Sequence, residues 1–302
     1  GDGLLVIGID AAGTEISNLA IEILGPDGGG VVLQAGFVPG LGWKGPDNCT
    51  VRDLKVTARW CGIYSELSDN VVVADNNISG TLQYGIWAQG VNSVSITNNT
   101  IQGEMWRAIA LNWAYDSVIS DNMMDRVISP PSHPWWNGAI DIDNGANNVV
   151  RGNQIMGEGR SAIHLFRTYN NSILDNDCSG YTGKWSGQSW NVCQFWDGGY
   201  SSGNTVSGNI WGPIAPESTL ATVVIAFRNG ASPTDDNILD NDYRQYNNVP
   251  GWTEADPDGP GCVLLTEGTE NNLVFESGHF PRGTNAKSQV MDLGNNNRVV
   301  GH

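Results

Sequence analysis

Ile96-Thr97-Asn98-Asn99-Thr100-Ile101 is the stretch whose reading decides the fold. Bulky apolar residues bracket two Asp/Asn/Gly positions and a variable residue, and the arrangement recurs along the chain. It appears as Ile16–Ile21, Val73–Ile78, Val150–Ile155, Ile173–Cys178 and Ile238–Tyr243. The second residue of each pair is Asn at 76, 99, 122, 153, 176, 209 and 241, so successive spacings are 23, 23, 31, 23, 33 and 32. A basal period of 23 with insertions of 8 to 10 residues fits a solenoid coil of three short strands and three turns. Asn suits such a turn because it tolerates the left-handed conformation and its amide can bond the next Asn in the stack. A β-sandwich also has closely spaced strands, but it does not keep one Asn-Asn register along a chain.

Composition bounds the function. Gly is 39 of 302 residues and only 16% are charged, as expected of many short strands and turns. The net charge is −17, which excludes nucleic acid, whose phosphates call for Lys and Arg, and disfavours anionic membranes. No run of 18 apolar residues is present, so no membrane partner is expected. Acidity, low charge density and 12 Trp point to a secreted or extracellular protein. The five Cys are an odd number; Cys178 and Cys193 fall at inward positions, as buried thiols, and Cys49 and Cys61 are candidates for a bridge.

Each coil carries a second strand anchored by a small residue and an Ile or Val. Alternation along these strands gives two outward columns. One runs Tyr64, Trp87, Ala110, Asp141, His164, Gln194, Ala226, Leu264; the other runs Glu66, Gln89, Asn112, Asp143, Phe166, Trp196, Arg228, Thr266. Trp113, Asn144, Arg167 and Asp197 follow immediately after. Asp141 and Asp143 share one strand face, with Cα atoms about 6.5–7 Å apart, and rungs about 4.8 Å apart bring His164 beside Asp141. The insertions Val127–Asn137, Ser179–Asn191, Pro213–Thr222 and Gln245–Gly261 all precede these strands and carry Trp135, Trp136, Trp185, Trp190 and Trp252. Insertions on one face of a repeat mark a binding face, and aromatics beside carboxylates and amides suit sugar rings.

The pattern resembles the right-handed parallel β-helix (pectate-lyase-like) superfamily of carbohydrate-active proteins over nearly the whole chain. The expected fold is therefore all-β, a single-stranded right-handed parallel β-helix of about ten coils, as one domain over residues 1–302 that lacks an N-terminal cap. Gly159–Leu165, Asp141–Asn144, Ala221–Ile225 with Arg228, and Val263–Glu267 are also similar to segments of the inulin fructotransferase family. That resemblance implies metal-free carboxylate chemistry on a neutral fructan; Asp143 stands where that family places a Glu.

The expected function is extracellular cleavage of glycosidic bonds of a polysaccharide, by hydrolysis or transglycosylation. Asp141, Asp143, His164 and Arg167 are the candidate catalytic residues. Tyr64, Glu66, Trp87, Gln89, Asn112, Trp113, Trp135, Trp136, Phe166, Trp190, Gln194, Trp196, Asp197 and Arg228 are the candidate substrate contacts. No cofactor or metal is expected. The alternative is a polyuronate lyase or epimerase, for which Arg107, Arg160, Arg167 and Arg228 are available and Ca²⁺ held by acids would be the metal. The third reading is a non-catalytic glycan-binding or fibre protein, for which a homo-oligomer, trimeric or stacked head to tail, is the expected partner.

Overall fold

A computed structural model describes residues 4–7, 11–23, 25, 28–80, 82–128, 138–183, 193, 195–199, 201–212, 223–226, 234–235, 237–242, 263–265, 267–276 and 290–301. Among them all regular structure is strand. A seventeen-stranded sheet turns a corner within the long strand Thr100–Tyr115, and an eleven-stranded sheet faces it. Apart from one small hairpin, Gly36–Val38 against Gly42–Lys44, the described pairings are parallel. The eleven-stranded sheet runs from Glu15–Ser17 to Arg298–Gly301, one strand per coil, against the expectation of about ten. Each coil crosses a front sheet, the eleven-stranded sheet and a third, shorter one, which makes a parallel β-helix.

Like stacks on like in the core. Ile63, Ile86, Ile109, Ile140 and Ile163 are successive front-sheet neighbours, all 0–2% exposed. Val51, Val73, Ile96, Ile119, Val150 and Ile173 do the same on the eleven-stranded sheet. β-Branched side chains suit this pleated, fully buried surface. The small anchor is enforced by space, since a Cβ on Gly85 would lie 2.5 Å from the Ala108 carbonyl oxygen.

The Asn register is a buried hydrogen-bonded ladder. Asn76, Asn99, Asn122, Asn153 and Asn176 each send Nδ2 to Oδ1 of the next, ending at Asn209, over 2.8–2.9 Å. The residue before each Asn makes the turn: Asp75, Asn98, Asp121 and Asp175 have φ of 53–57°, and Gly152 and Gly208 have 62° and 67°. These are the residue types that reach the left-handed region at low cost. A second ladder, not singled out in the sequence, joins Asn148, Asn171, Asn204, Asn237, Asn272 and Asn297. Its signal was available, because Asn147, Asn170, Gly203, Asn271 and Asn296 precede those residues at positive φ. Asn241 lies on the strand Ile238–Asp242, whose side chains from 240 onward are outside the described residues. Cys49 and Cys61 are buried free thiols, so the bridge considered for them is not formed; Cys178 and Cys193 are buried free thiols as expected.

Candidate functional site

The front sheet holds both columns in register through its middle coils. Tyr64, Trp87, Ala110, Asp141 and His164 are consecutive neighbours, and so are Glu66, Gln89, Asn112, Asp143 and Phe166. Asp141 is 1% exposed and clasped from both sides along the stack. Arg107 Nε lies 2.7 Å from its Oδ2 and His164 Nδ1 lies 3.2 Å from its Oδ1. Burial alone would raise this carboxyl, but Arg107 and then His164 outweigh it and hold it below the ordinary carboxylate range. Arg107, partly buried, is kept charged against its own burial by Asp141 and Tyr84.

Asp143, two residues on, has the opposite balance. It is half-buried; burial and the neighbouring Asp141 charge push its carboxyl up, and His164, Arg107 and Arg167 offset that only in part. Asn144, at φ 56°, turns its Nδ2 back to donate to Asp143 Oδ1 at 2.7 Å. Beyond it the rings of His164 and Phe166 lie parallel at 6.3 Å, and the Arg167 guanidinium sits 4.8 Å over Phe166. One strand thus carries an enclosed, ionised carboxylate and an accessible one that holds its proton more tightly. Such a split is how two like groups take different roles.

On the N-terminal side of Asp141 the face is aromatic. Tyr84 and Trp87 stack at 4.6 Å, Trp87 and Tyr64 lie at 4.7 Å, and Trp60 and Trp106 pack edge-on at 5.7–6.2 Å. Arg107 joins this wall to the carboxylates, its guanidinium 5.8 Å from the Tyr84 ring. Trp60, Tyr84, Trp87 and Trp106 all remain partly exposed. Among the described residues, no group of three or more His, Cys, Asp or Glu is placed to hold a metal ion, and no helix is long and apolar enough to cross a membrane.

A family model described as the right handed beta helix region matches residues 39–211. The chain belongs to the right-handed β-helix family. This β-helix protein is similar to the DFA-IIIase of Arthrobacter chlorophenolicus A6 in complex with GF2, with a TM-score of 0.56 at 16% identity. The match covers 90% of this chain and 60% of that one, so the β-helix protein spans about three fifths of that relative. Fainter likenesses are to an exopolygalacturonase from Thermotoga maritima (TM-score 0.44, 15% identity, 85% of this chain and 53% of that one). Another is to the Streptococcus pneumoniae surface protein and adhesin PfbA (0.49, 11%, 98% and 89%). These identities mark likeness of fold. No curated protein matches the β-helix chain in sequence.

The register corrects the columns beyond Phe166. Trp196, not Gln194, is the neighbour of His164, and Gly198, not Trp196, follows Phe166. Val224 then continues the first column to Leu264, and Ala226 belongs to the second. The columns expected from the sequence are off by two residues at the strand Phe195–Gly198, where Asp197, expected on the groove, points inward at the Leu165 position and is 0% exposed. Its Oδ2 accepts a 3.0 Å bond from Nδ2 of the ladder residue Asn204. Trp113 is 52% exposed at the strand's edge. Trp135, Trp136, Trp190, Gln194 and Arg228 lie outside the described residues of the β-helix. Sequence reasoning gave Arg107 no part in the carboxylate pair and passed over Trp60, Tyr84 and Trp106. The available signal was their place one or two residues before the small anchor residues Gly62, Gly85 and Ala108.

Proposed function

We propose that this protein is a carbohydrate-active β-helix that cleaves glycosidic bonds, with Asp143 as the proton-transferring carboxyl. The observation that carries this reading is the contrasted setting of two acids on one strand: Asp141 is enclosed between Arg107 and His164, which lower it, and Asp143 is half-buried and raised. Asp143 is partly open to a ligand and holds its proton to higher pH than an ordinary Asp, as the acid that protonates a leaving oxygen must. Asp141 does not touch substrate in this account; enclosed by Arg107 and His164, it fixes both and disfavours ionisation of Asp143. Arg167 and Phe166 border Asp143 on the next rung, where they position the sugar whose anomeric carbon is attacked by water or an acceptor hydroxyl, that group's proton replacing the one Asp143 gives to the leaving oxygen. The family's carbohydrate-active members and the aromatic wall beside the acids support a glycan as substrate.

The test is release of products from a panel of neutral and uronic polysaccharides by wild type, Asp143→Asn and Asp141→Asn. On any glycan the wild type cleaves, Asp143→Asn is expected to lose about 10²–10⁴-fold in kcat and to keep its KM. Full activity of Asp143→Asn would remove Asp143 from the chemistry. Binding without cleavage by wild type would replace the reading with a glycan-binding module.

A further inference from the structure

We infer that the ligand is an uncharged glycan chain lying lengthwise along the N-terminal coils of the front face, from the Arg107–Asp141 pair out to the hairpin Gly36–Lys44. The inference rests on the glycan reading above and adds direction, charge class and reach.

Direction comes from where the rings are. Trp60, Tyr64, Tyr84, Trp87 and Trp106 occupy the three coils before Asp141 and form one connected wall. A rung is about 4.8 Å deep, comparable to one sugar unit, so a chain along the axis sets successive units over successive rungs. Beside the rings runs the polar column Glu66, Gln89, Asn112, each partly exposed. A stripe of ring faces flanked by a stripe of amides and a carboxylate matches a sugar's apolar face and hydroxyl rim.

The charge class follows from the same columns. Cys61, Tyr84 and Arg107 are neighbours in the outermost one, which makes Arg107 the one cation of the three columns over these coils. Arg107 is already paired with Asp141 at 2.7 Å. Glu66, which takes a 3.4 Å bond from the Ala35 N–H, adds a negative charge. The exposed Arg59 stands beyond Trp60, outside the columns. A uronate on each unit would meet rings, amides and a carboxylate; among the described residues the exposed cations nearby, Arg59 and the hairpin's Lys44, stand outside the columns.

Reach comes from the hairpin. It leaves the stripe's edge between Ala35, bonded to Glu66, and Gly45, whose N–H donates to the Leu67 carbonyl at 2.8 Å. Phe37, Leu41 and Trp43 on it are 63–65% exposed, and Phe37 and Trp43 pack edge to face at 6.0 Å. Its coil is separated from the Asp141 coil by the steps Val31–Gln34, Cys61–Glu66, Leu82–Asn92, Thr100–Tyr115 and Gly138–Ala146. Four steps of about 4.8 Å put the hairpin about 19 Å from the acids. Only a chain of about five units or more bridges that distance.

The test is calorimetric titration of Asp143→Asn protein, which binds without turnover, with fructo-, xylo- and gluco-oligosaccharides of two to six units and with oligogalacturonates of the same lengths. At least one neutral series is expected to bind more tightly with each added unit, and oligogalacturonates at least tenfold more weakly. Adding Trp87→Ala should weaken every length by about tenfold, whereas Trp43→Ala, at an exposed site that cannot perturb the core, should weaken only the longest members. Tighter binding of oligogalacturonates, no effect of Trp43→Ala at any length, or no binding of either class would overturn the inference. Neutral chains that bind as described but are never cleaved by wild type would sink the catalytic reading and leave this one standing.

Discussion

Asp141 and Asp197 are equally withdrawn from water, at 1% and 0% exposed, on opposite faces of the same front sheet. The outward Asp141 meets Arg107 and His164 and stays ionised at lower pH than usual. The inward Asp197 meets Ser201 and the Asn204 amide, and burial pushes it up to about 7. Burial is common to both, so it does not decide the outcome. At Asp197 the neutral donors only soften the desolvation, whereas at Asp141 the opposite charges of Arg107 and His164 reverse it. The outer face thereby keeps a fixed anion in a dry setting, and the interior keeps a carboxyl that is neutral through much of the acid range.

Removing the cation should make the first case resemble the second. Arg107→Met leaves Asp141 buried with His164 alone, at an expected cost of about 3–5 kcal/mol in unfolding free energy. The same variant should lift the Asp141 carboxyl above its ordinary value. Denaturant unfolding checks the first expectation, and an unchanged midpoint would mean that the pair holds nothing together.

Asp197→Asn should act in the opposite sense. A carboxyl at about 7 in the fold and near 3.8 unfolded keeps its proton longer in the folded state. Wild-type stability from this group is therefore complete below about 3.8, falls as pH rises toward 7, and is flat above. The span corresponds to about 4 kcal/mol, so the variant should gain on wild type between pH 5 and pH 8. Unfolding curves at both pH values measure that gain, and a constant difference would place the Asp197 titration elsewhere. Asn153→Ala supplies the uncharged control within the same interior. It strands the Asn122 backbone N–H and one of the two Nδ2 hydrogens, both bonded to Asn153 Oδ1 while Nδ2 keeps its bond to the Ile96 carbonyl, and should cost about 2–3 kcal/mol at every pH. Asp143→Asn, at a half-buried site whose carboxyl already resists ionisation, should shift stability by less than about 1 kcal/mol.

These residues also mark how far the sequence could be read. The Asn99 register was legible because a side chain that bonds its own copy on the next rung must recur at the coil length. The Asp141–His164 and Asp143–Phe166 neighbours were legible for the same reason, the coils between them being free of irregular pairing. The reading lost register at Trp196, where the rule of apolar residues inward meets Asp197. An acid is tolerated there because Asn204 turns its amide toward it, a compensation that lies seven residues away and leaves no local pattern. Arg107 was overlooked as the partner of Asp141 because their contact crosses between coils 31 residues apart at their neighbouring positions, outside the alternation that defined the columns.

The most direct test of the charge split is a carboxyl ¹³C NMR titration of the native protein from about pH 3 to 9, with Asp141, Asp143 and Asp197 assigned through their Asn variants. The account predicts that Asp141 titrates below 3.8, Asp143 above it, and Asp197 at about 7. Asp143 titrating at or below Asp141 would contradict it.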